Sequence, residues 1–337
     1  MKIALATPLF AERHGTRTIT ETLASALIEI GHTVTVVTCD QGCAKSYAPA
    51  ENSQITVVTA FNFMEAWRQF RAHDAVMSIH PSSKLGWPAV MSRRRMLISH
   101  HVWYVGGRRA ADVSRRALLA FAPNIACSQA VADTVPVACT AVLNGVRGDL
   151  LTLRPSEALR SIDLLFVGAM SKDKGADIAL DVMAEYCREI GPESWGRVAL
   201  VGPRSPDFDL NAAIAASGLP ASVYRGAADG NQVAKFYGNA VITLVPYRRE
   251  SFGLVPIEAM ACGSCVIGAA RGGLLESIGS GGILVPLDDK SAWIEACKRL
   301  IGSTSEQYAI QQNARLHLEK FSPYRMATEY LDSFSNG

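Results

Sequence analysis

Residues 241–263 read VITLVPYRRESFGLVPIEAMACG. The first part, VITLVPY, is apolar and rich in β-branched residues, so it predicts a buried strand. Pro256 suits the first turn of a helix, and we expect Glu258 to fall inside that turn. The loop from Glu250 to Val255 would then lie beyond the carboxyl end of a strand, which is where open α/β sheets bind their ligands.

The chemistry of this loop predicts a ligand with both anionic and neutral polar parts. A helix N-terminus favours a phosphate group, and Gly253 would let the backbone approach it closely. Glu250 and Glu258 flank this anion site, and each could accept hydrogen bonds from a neutral diol. A hexose on one side and a ribose on the other give the ligand the outline of a sugar, a diphosphate and a nucleoside. Taken alone, Glu258 is explained equally well as a glutamate that complements the helix dipole.

Strand-like and helix-like segments alternate along the rest of the chain. Seven strand-like runs lie in the first half, from Ile3–Ala6 to Ala141–Leu143. The pattern restarts after Pro155 with six more runs, one of which is Ser222–Tyr224. Such alternation predicts an α/β chain in which helices cover parallel sheets on both faces, arranged as two Rossmann-like domains. The predicted parts are a first domain at 1–152, a second at 153–320, and a helix at 321–337 that can cross back onto the first.

The composition excludes several classes of function. The 337 residues are 49% hydrophobic and 19% charged, with a formal net charge of +2. That balance excludes a disordered chain and provides no overall field for nucleic acid. Neither half carries GxGxxG after its first strand, which argues against a simple NAD-dependent enzyme.

We expect a cytoplasmic protein. The N-terminal residues MKIALATPLF lack the long apolar core of a secretory signal, and no window approaches the roughly 18 apolar residues of a membrane helix. The eight cysteines form no dense framework, so reduced thiols are expected. Cys262 and Cys265 have CxxC spacing, but they span a predicted helix end and the next strand. That context favours packing over redox or zinc chemistry.

Basic residues cluster in the first domain between Arg93 and Arg116, with Trp103 and Tyr104 among them. This cluster could contact an anionic membrane, which would place the protein peripherally at the inner membrane face, or a phosphorylated acceptor. A solvated basic surface is the simpler interpretation.

In their order along the chain, several motifs resemble the retaining GT-B glycosyltransferases, the "glycosyl transferases group 1" family. The hallmark is a pair of glutamates with seven residues between them, here ESFGLVPIE at 250–258. The resemblance is dense from about residue 140 to 290 and looser before that. It implies two Rossmann-like domains whose parallel sheets face each other across a cleft, with the acceptor on the N-terminal domain and a nucleotide sugar on the C-terminal one. The other matching motifs are NGV at 144–146, VGAMSKDKG at 167–175, RGGLLE at 271–276 and GILVP at 282–286.

The resemblance also implies roles for individual residues. Glu250 would hold hydroxyls of the donor sugar, Glu258 the ribose hydroxyls, and Lys174 would neutralise the diphosphate leaving group. The family works without a bound metal, so no cofactor is expected beyond a UDP- or GDP-sugar donor. The remaining donor-binding positions are Gly168, Phe252, Gly253 and Leu254.

The acceptor half matches the family less closely. The family has a Gly-Gly pair after the first strand, and here Arg13-His14-Gly15-Thr16 leaves Gly15 for part of that function. Family members often place a histidine facing the reacting sugar at a strand end. His100 is predicted for that catalytic position and His101 is the second candidate, although strand-end histidines also serve as structural hydrogen bonders. His80, at the end of another strand, is predicted to be structural.

One departure from the family's pattern affects a position that binds the diphosphate. Ala169 stands where the family has an arginine, so Lys174 remains as the only carried-over cation. We hypothesise that one nearby basic residue compensates; the candidates are Lys172, Arg204, Arg248 and Arg249.

The sequence therefore predicts a retaining, metal-independent glycosyltransferase. It would move a sugar from a nucleotide diphosphate sugar to a hydroxyl of a polysaccharide, lipid-linked or natural-product acceptor. The alternative is a catalytically degenerate paralogue that binds nucleotide sugar and partners an active transferase. An epimerase or a phosphorylase on the same fold is disfavoured by the two-glutamate pattern and by the lack of a pyridoxal-phosphate lysine motif.

Overall fold

The computed structural model describes residues 1–10, 15–40, 42, 54–107, 109–151 and 160–334. Arg13, His14 and Arg108, which figure in the predictions above, lie outside these residues. So does the stretch 152–159 that holds the predicted domain boundary. The chain divides into two compact units: unit 1 is Met1–Arg147 with Lys320–Gly337, and unit 2 is Gly148–Glu319.

Unit 1 is built on a seven-stranded sheet in the order β3-β2-β1-β4-β5-β6-β7, and every pair is parallel. Its strands are β1 (Lys2–Thr7), β2 (Thr33–Thr38), β3 (Thr56–Thr59), β4 (Ala75–Ile79), β5 (Arg95–His100), β6 (Asn124–Ala126) and β7 (Cys139–Ala141). Its helices are α1 (Gly15–Glu29), α2 (Phe63–Arg71), α3 (Ser83–Ser92), α4 (Ala110–Leu118), α5 (Gln129–Ala132) and, from the end of the chain, α14 (Pro323–Asp332).

Strand β1 shows why this sheet is covered on both faces. Its residues from Ile3 to Thr7 are all buried. Ile3 and Leu5 belong to one apolar cluster, whereas Ala4 and Ala6 belong to another. Because side chains alternate along a strand, these two clusters are the cores on opposite faces of the sheet.

The C-terminal helix α14 packs on the first of those cores. Met326 and Tyr330 are buried in the same cluster as Ile3. The Tyr330 hydroxyl lies 2.7 Å from Ser99 Oγ at the end of β5, and the Gly145 N–H points at Met326 Sδ, 3.1 Å away. The last helix of the chain is therefore part of unit 1.

Unit 2 is built on a five-stranded parallel sheet in the order β12-β11-β10-β8-β9. Its strands are β8 (Ile162–Val167), β9 (Val198–Val201), β10 (Ala240–Val245), β11 (Cys265–Ala269) and β12 (Ile283–Val285). Its helices are α6 (Gly148–Leu151), α7 (Ala176–Ile190), α8 (Leu210–Ser217), α9 (Gly230–Asn239), α10 (Leu254–Ala261), α11 (Leu274–Ile278), α12 (Lys290–Ile301) and α13 (Thr304–Leu318).

The parallel α/β fold predicted from the sequence is confirmed, with two corrections. Ser222–Tyr224 is not a strand: residues Ala221–Val223 form a 3-10 turn, and Tyr224 makes a single bridge to Leu200. Tight turns at Pro220 and after it leave too few extended residues to pair. The last strand of unit 1 ends at Ala141, two residues before the predicted end.

Both cysteines of the CxxC pair are buried, with Cys262 at the C-terminal cap of α10 and Cys265 at the start of β11. Within the described residues, no helix is both long and apolar enough to span a bilayer.

Candidate active site

The loop that joins β10 to α10 begins the candidate site. Gly253 has a φ of +99° and is the residue that precedes the helix. Its left-handed backbone turns the chain directly into Leu254, where the helix begins. Glu258 is therefore the fifth helical residue and lies in the second turn, which corrects its predicted place in the first. Among the residues that the structure describes, no side chain caps this helix end, so its first N–H groups are available to an anion.

A second glycine, Gly273, packs against the backbone of the same loop. The Gly273 N–H donates to the Glu250 carbonyl oxygen over 3.0 Å. A Cβ on Gly273 would lie 2.2 Å from the Ser251 carbonyl oxygen and 2.5 Å from the Phe252 Cα. Only glycine lets the backbone of 251–253 come this close, which explains the second glycine of the RGGLLE motif.

The lysine loop, residues 168–175, is fixed against the end of β10 in a similar way. Gly175 has a φ of +67°, and a Cβ there would lie 2.0 Å from the Pro246 carbonyl oxygen. The Arg248 guanidinium binds both oxygens of Asp177, at 2.7 and 2.9 Å, and also the Lys172 carbonyl. Arg248 therefore serves to hold the loop that carries Lys174.

These two loops bring Lys174 and Glu250 into contact. Lys174 Nζ lies 2.6 Å from Glu250 Oε2 and 4.5 Å from the centre of the Tyr247 ring. The Tyr247 hydroxyl donates to the Val167 carbonyl oxygen over 2.5 Å, which fixes the ring under the ammonium group. A side chain at Gly168 would come within 3.2 Å of that hydroxyl. The site thus holds a cation and a carboxylate at the carboxyl ends of β8 and β10.

Glu258 lies near a second tyrosine, Tyr237. Its Oε2 is 3.4 Å from the hydroxyl of the buried Tyr237. Burial, together with the charge of Glu258, raises the pKa of Tyr237 well above its usual range. Burial and the charges of both glutamates do the same for the pKa of Tyr247. Both tyrosines therefore stay protonated and can donate hydrogen bonds at neutral pH.

The four candidate cations differ in their surroundings. Arg248 is bound to Asp177. Arg204 is bridged through its backbone to Met170, next to Ala169, while its guanidinium lies 3.0 Å from Asn211 Oδ1 and stacks on Tyr224. Lys172 and Arg249 are exposed.

The predicted acceptor residues lie in unit 1. His100 is buried, and its Nε2 lies 3.0 Å from Asn124 Oδ1. The Asn124 amide nitrogen donates to two carbonyl oxygens, so its Oδ1 is the acceptor and the His100 Nε2–H is the donor. His101 Nε2 contacts the Ser99 hydroxyl at 2.9 Å, and burial lowers the pKa of His101 to about 3. Gly15 is the first residue of α1.

A cavity of about 630 Å³ opens at the carboxyl edge of the unit 1 sheet. His80 lines it, and burial lowers the pKa of His80 to about 4. Its φ of +69° is unusual for a residue other than glycine and turns the chain sharply after β4. The described lining does not include His100, His101 or Gly15. The lining also includes charged residues from β2's end, from α3 and from α4: Asp40, Lys84, Asp112 and Arg115.

The sequence reasoning missed Tyr237, Tyr247 and the cavity position of His80. Tyr247 stands at the end of the strand-like run VITLVPY, where a polar ring beyond a buried strand was the available signal. Tyr237 and His80 give no comparable signal, because the helix packing and the left-handed turn that place them depend on tertiary structure. Among the described residues, no group of three or more His, Cys, Asp or Glu side chains could hold a metal ion.

The family profile described as "Glycosyl transferases group 1" matches residues 161–303. A D-inositol 3-phosphate glycosyltransferase from Arthrobacter sp. (strain FB24) is 30% identical over 176 residues. This alignment covers 51% of the chain and 42% of the relative, so the chain spans less than half of that protein's length.

Two solved structures share the fold over the whole chain. HepE from Anabaena, solved in complex with UDP, superposes with a TM-score of 0.78 at 19% identity, and the match covers 100% of both chains. Sucrose-phosphate synthase from Thermosynechococcus elongatus gives a TM-score of 0.73 at 21% identity, again over 100% of both chains. The chain therefore has the GT-B fold, and its residues 161–303 match the model of the glycosyl transferases group 1.

Proposed function

We propose that this protein is a retaining glycosyltransferase that moves a sugar from a nucleotide diphosphate sugar to a hydroxyl of its acceptor. The observation that carries the proposal is the joint placement of Lys174, Glu250 and Glu258 around the open N-terminus of α10. UDP in the complex of HepE supports a uridine nucleotide as the donor's base, and HepE has also been solved with UDP-glucose.

The donor's parts have matching groups in unit 2. The N–H groups at the start of α10 and the Lys174 ammonium would face the diphosphate, since both favour negative charge. Glu250 and Glu258 would accept hydrogen bonds from the sugar and ribose hydroxyls. Lys174 is bonded to Glu250. On donor binding the ammonium would share its hydrogen bonds between this carboxylate and a phosphate oxygen.

The reaction breaks the bond between the anomeric carbon and the diphosphate oxygen. We propose that the acceptor hydroxyl attacks on the face that the diphosphate leaves, and that the departing oxygen takes the acceptor proton. Lys174 and the helix N-terminus would stabilise the charge that develops on the leaving group. These groups supply the positive charge that the leaving group requires, and we propose that no metal takes part.

The acceptor would bind in unit 1. The polar cavity at the carboxyl edge of its sheet offers carboxylates, a histidine and cations to a hydroxylated molecule. The relative from Arthrobacter is named for an inositol phosphate, which is a hydroxylated and anionic molecule.

The test needs no knowledge of the acceptor. UDP-glucose, UDP-N-acetylglucosamine, GDP-mannose and ADP-glucose are incubated with the protein and EDTA, with water as a slow acceptor. We expect release of nucleoside diphosphate from one of them and, by proton NMR, a first-formed sugar with the anomeric configuration of the donor. Release of the opposite anomer would refute retention. A strict requirement for added metal would refute the metal-independent part of the proposal.

A further inference from the structure

An apolar groove adjoins the polar cavity of unit 1. It lies between α2 and α3 and has a volume of about 590 Å³. The cavity and the groove share three lining residues: Cys39, Ser83 and Lys84. A molecule that occupies one of these spaces can therefore extend into the other.

The groove differs from the cavity in its chemistry. Ala60, Ala66 and Leu85 are buried residues of its lining, and four more of its residues are aromatic or methionine: Phe61, Phe63, Trp87 and Met91. Phe61 and Met91 are 62% and 60% exposed, which is unusual for neighbouring large apolar side chains. Contiguous apolar surface of this kind on a folded protein marks a place where another apolar group binds.

Lys84 lines both spaces where they meet, and among the described residues it is the only cation that does so. Lys84 forms no ion pair with any of the described residues, whereas Arg115 in the cavity is bonded to Asp112 over 3.0 Å. Burial raises the pKa of the Cys39 thiol and the charge of Lys84 opposes that rise, so the ammonium lies near the shared wall. An anionic group at the junction would find a partner in Lys84.

We propose that unit 1 binds an amphipathic acceptor, with its hydroxylated head in the cavity, an anionic group beside Lys84 and an alkyl chain in the groove. This inference rests on the proposed function, because it names the acceptor class of that reaction. The polar cavity, the adjoining apolar groove and the cation between them match the three parts of a lipid-linked acceptor in order. The continuity of the groove with the cavity and the charge of Lys84 favour this occupant over a second copy of the chain.

Alkyl phosphates provide a direct probe. Butyl, octyl and dodecyl phosphate are titrated into the whole chain below their micelle-forming concentrations, with no donor present, and calorimetry reports binding. Each methylene buried in the groove should tighten binding by up to about fourfold. The matching alkyl glucosides carry a neutral head, so they should show the same dependence on chain length with weaker affinity.

Two variants test the binding of the alkyl chain and the binding of the phosphate head group separately. Phe61→Ser should reduce the gain in affinity from octyl to dodecyl phosphate. Lys84→Gln should reduce the ratio of affinities for alkyl phosphate over alkyl glucoside by about tenfold. Tyr308→Ser, at 64% exposure in unit 2, and Lys235→Gln are matched controls that should change neither quantity. Melting temperatures confirm that each variant is folded, and Met91→Ser replaces Phe61→Ser if the latter is not.

Affinity that does not depend on chain length, or that Phe61→Ser leaves unchanged, would overturn the inference. So would a dimer that Phe61→Ser dissociates, because a second copy would then occupy the groove. Binding of UDP is measured on the same samples and reports on unit 2. If UDP or another nucleoside diphosphate binds and the alkyl series fails, the inference alone is wrong. If no nucleoside diphosphate binds and the alkyl series succeeds, the proposed donor function is wrong.

Discussion

At the scale of single residues, the candidate donor site depends on which cations remain available to a diphosphate. Ala169 leaves the site without one arginine that the resemblance to the family led us to expect. Arg248, although close in sequence to Glu250, is already bonded to Asp177 and to the Lys172 carbonyl. Arg204 is joined by its backbone to the segment that holds Ala169, so we propose it as the compensating residue.

Arg204→Ala should raise the dissociation constant for UDP by about ten- to a hundredfold, the usual cost of a lost charge-assisted contact. The measurement is calorimetric titration of UDP at low and at high salt. Arg248→Ala should instead lower the melting temperature of unit 2, since it frees the loop 168–175 and breaks a partly exposed ion pair worth about 1 kcal/mol. Unchanged UDP affinity in Arg204→Ala would refute the assignment.

At the scale of elements, two glycine contacts define the site. Gly273 supports the loop 250–253, and Gly175 lets the lysine loop approach β10. The sequence predicted the loop, the helix and the family motif, because glycine and proline mark such turns locally. It placed Glu258 one turn too early, because the helix start depends on the left-handed Gly253 rather than on Pro256.

Gly273→Ala tests the close contact of Gly273 with the loop 250–253. The effect is purely steric, since Gly273 has an ordinary helical φ. The new Cβ must displace Ser251 and Phe252, and a shift of about 1 Å at a binding loop can cost on the order of a hundredfold in turnover. We expect donor hydrolysis to fall by at least tenfold while the protein remains folded. Gly238→Ala in α9 is the control, because a Cβ there meets nothing within 4 Å. Equal loss of activity in both variants would contradict the steric explanation.

At the scale of the whole molecule, the sequence predicted the parallel sheets and most of their strands. Buried parallel strands are continuous apolar runs, so they are visible without any tertiary information. The residues around the cavity of unit 1 could be predicted less well from local sequence patterns. The resemblance to the family predicts a histidine at a strand end, here His100, and that side chain is buried against Asn124. His80 lines the cavity because of a backbone turn that no local pattern encodes.

Unit 1 is sensitive to acid because of three histidines: His80, His100 and His101. Burial lowers the pKa of His80 to about 4 and of His101 to about 3, and it lowers the pKa of His100 as well. These groups are neutral when folded but take up protons in the unfolded chain below about pH 6.5. The free energy of unfolding should therefore be highest above pH 6.5. It should fall as the pH decreases towards 4, by up to about 1.4 kcal/mol per pH unit for each histidine.

Urea unfolding of unit 1 between pH 7 and pH 4 measures this slope. His80→Asn should reduce it by up to one proton's contribution, because asparagine tolerates the left-handed backbone of this position and does not titrate. A variant with the same slope as the native chain would show that His80 is not held neutral.

The central claim is that unit 2 binds the nucleotide of the donor through Glu258 and the N-terminus of α10. Calorimetric titration of UDP into the native chain and into Glu258→Gln, in EDTA, tests it most directly. We predict one UDP per chain, with affinity about ten- to a hundredfold weaker in the variant, because an amide accepts ribose hydrogen bonds less strongly than a carboxylate. Binding that Glu258→Gln leaves unchanged, or no binding of UDP or GDP at all, would contradict the account.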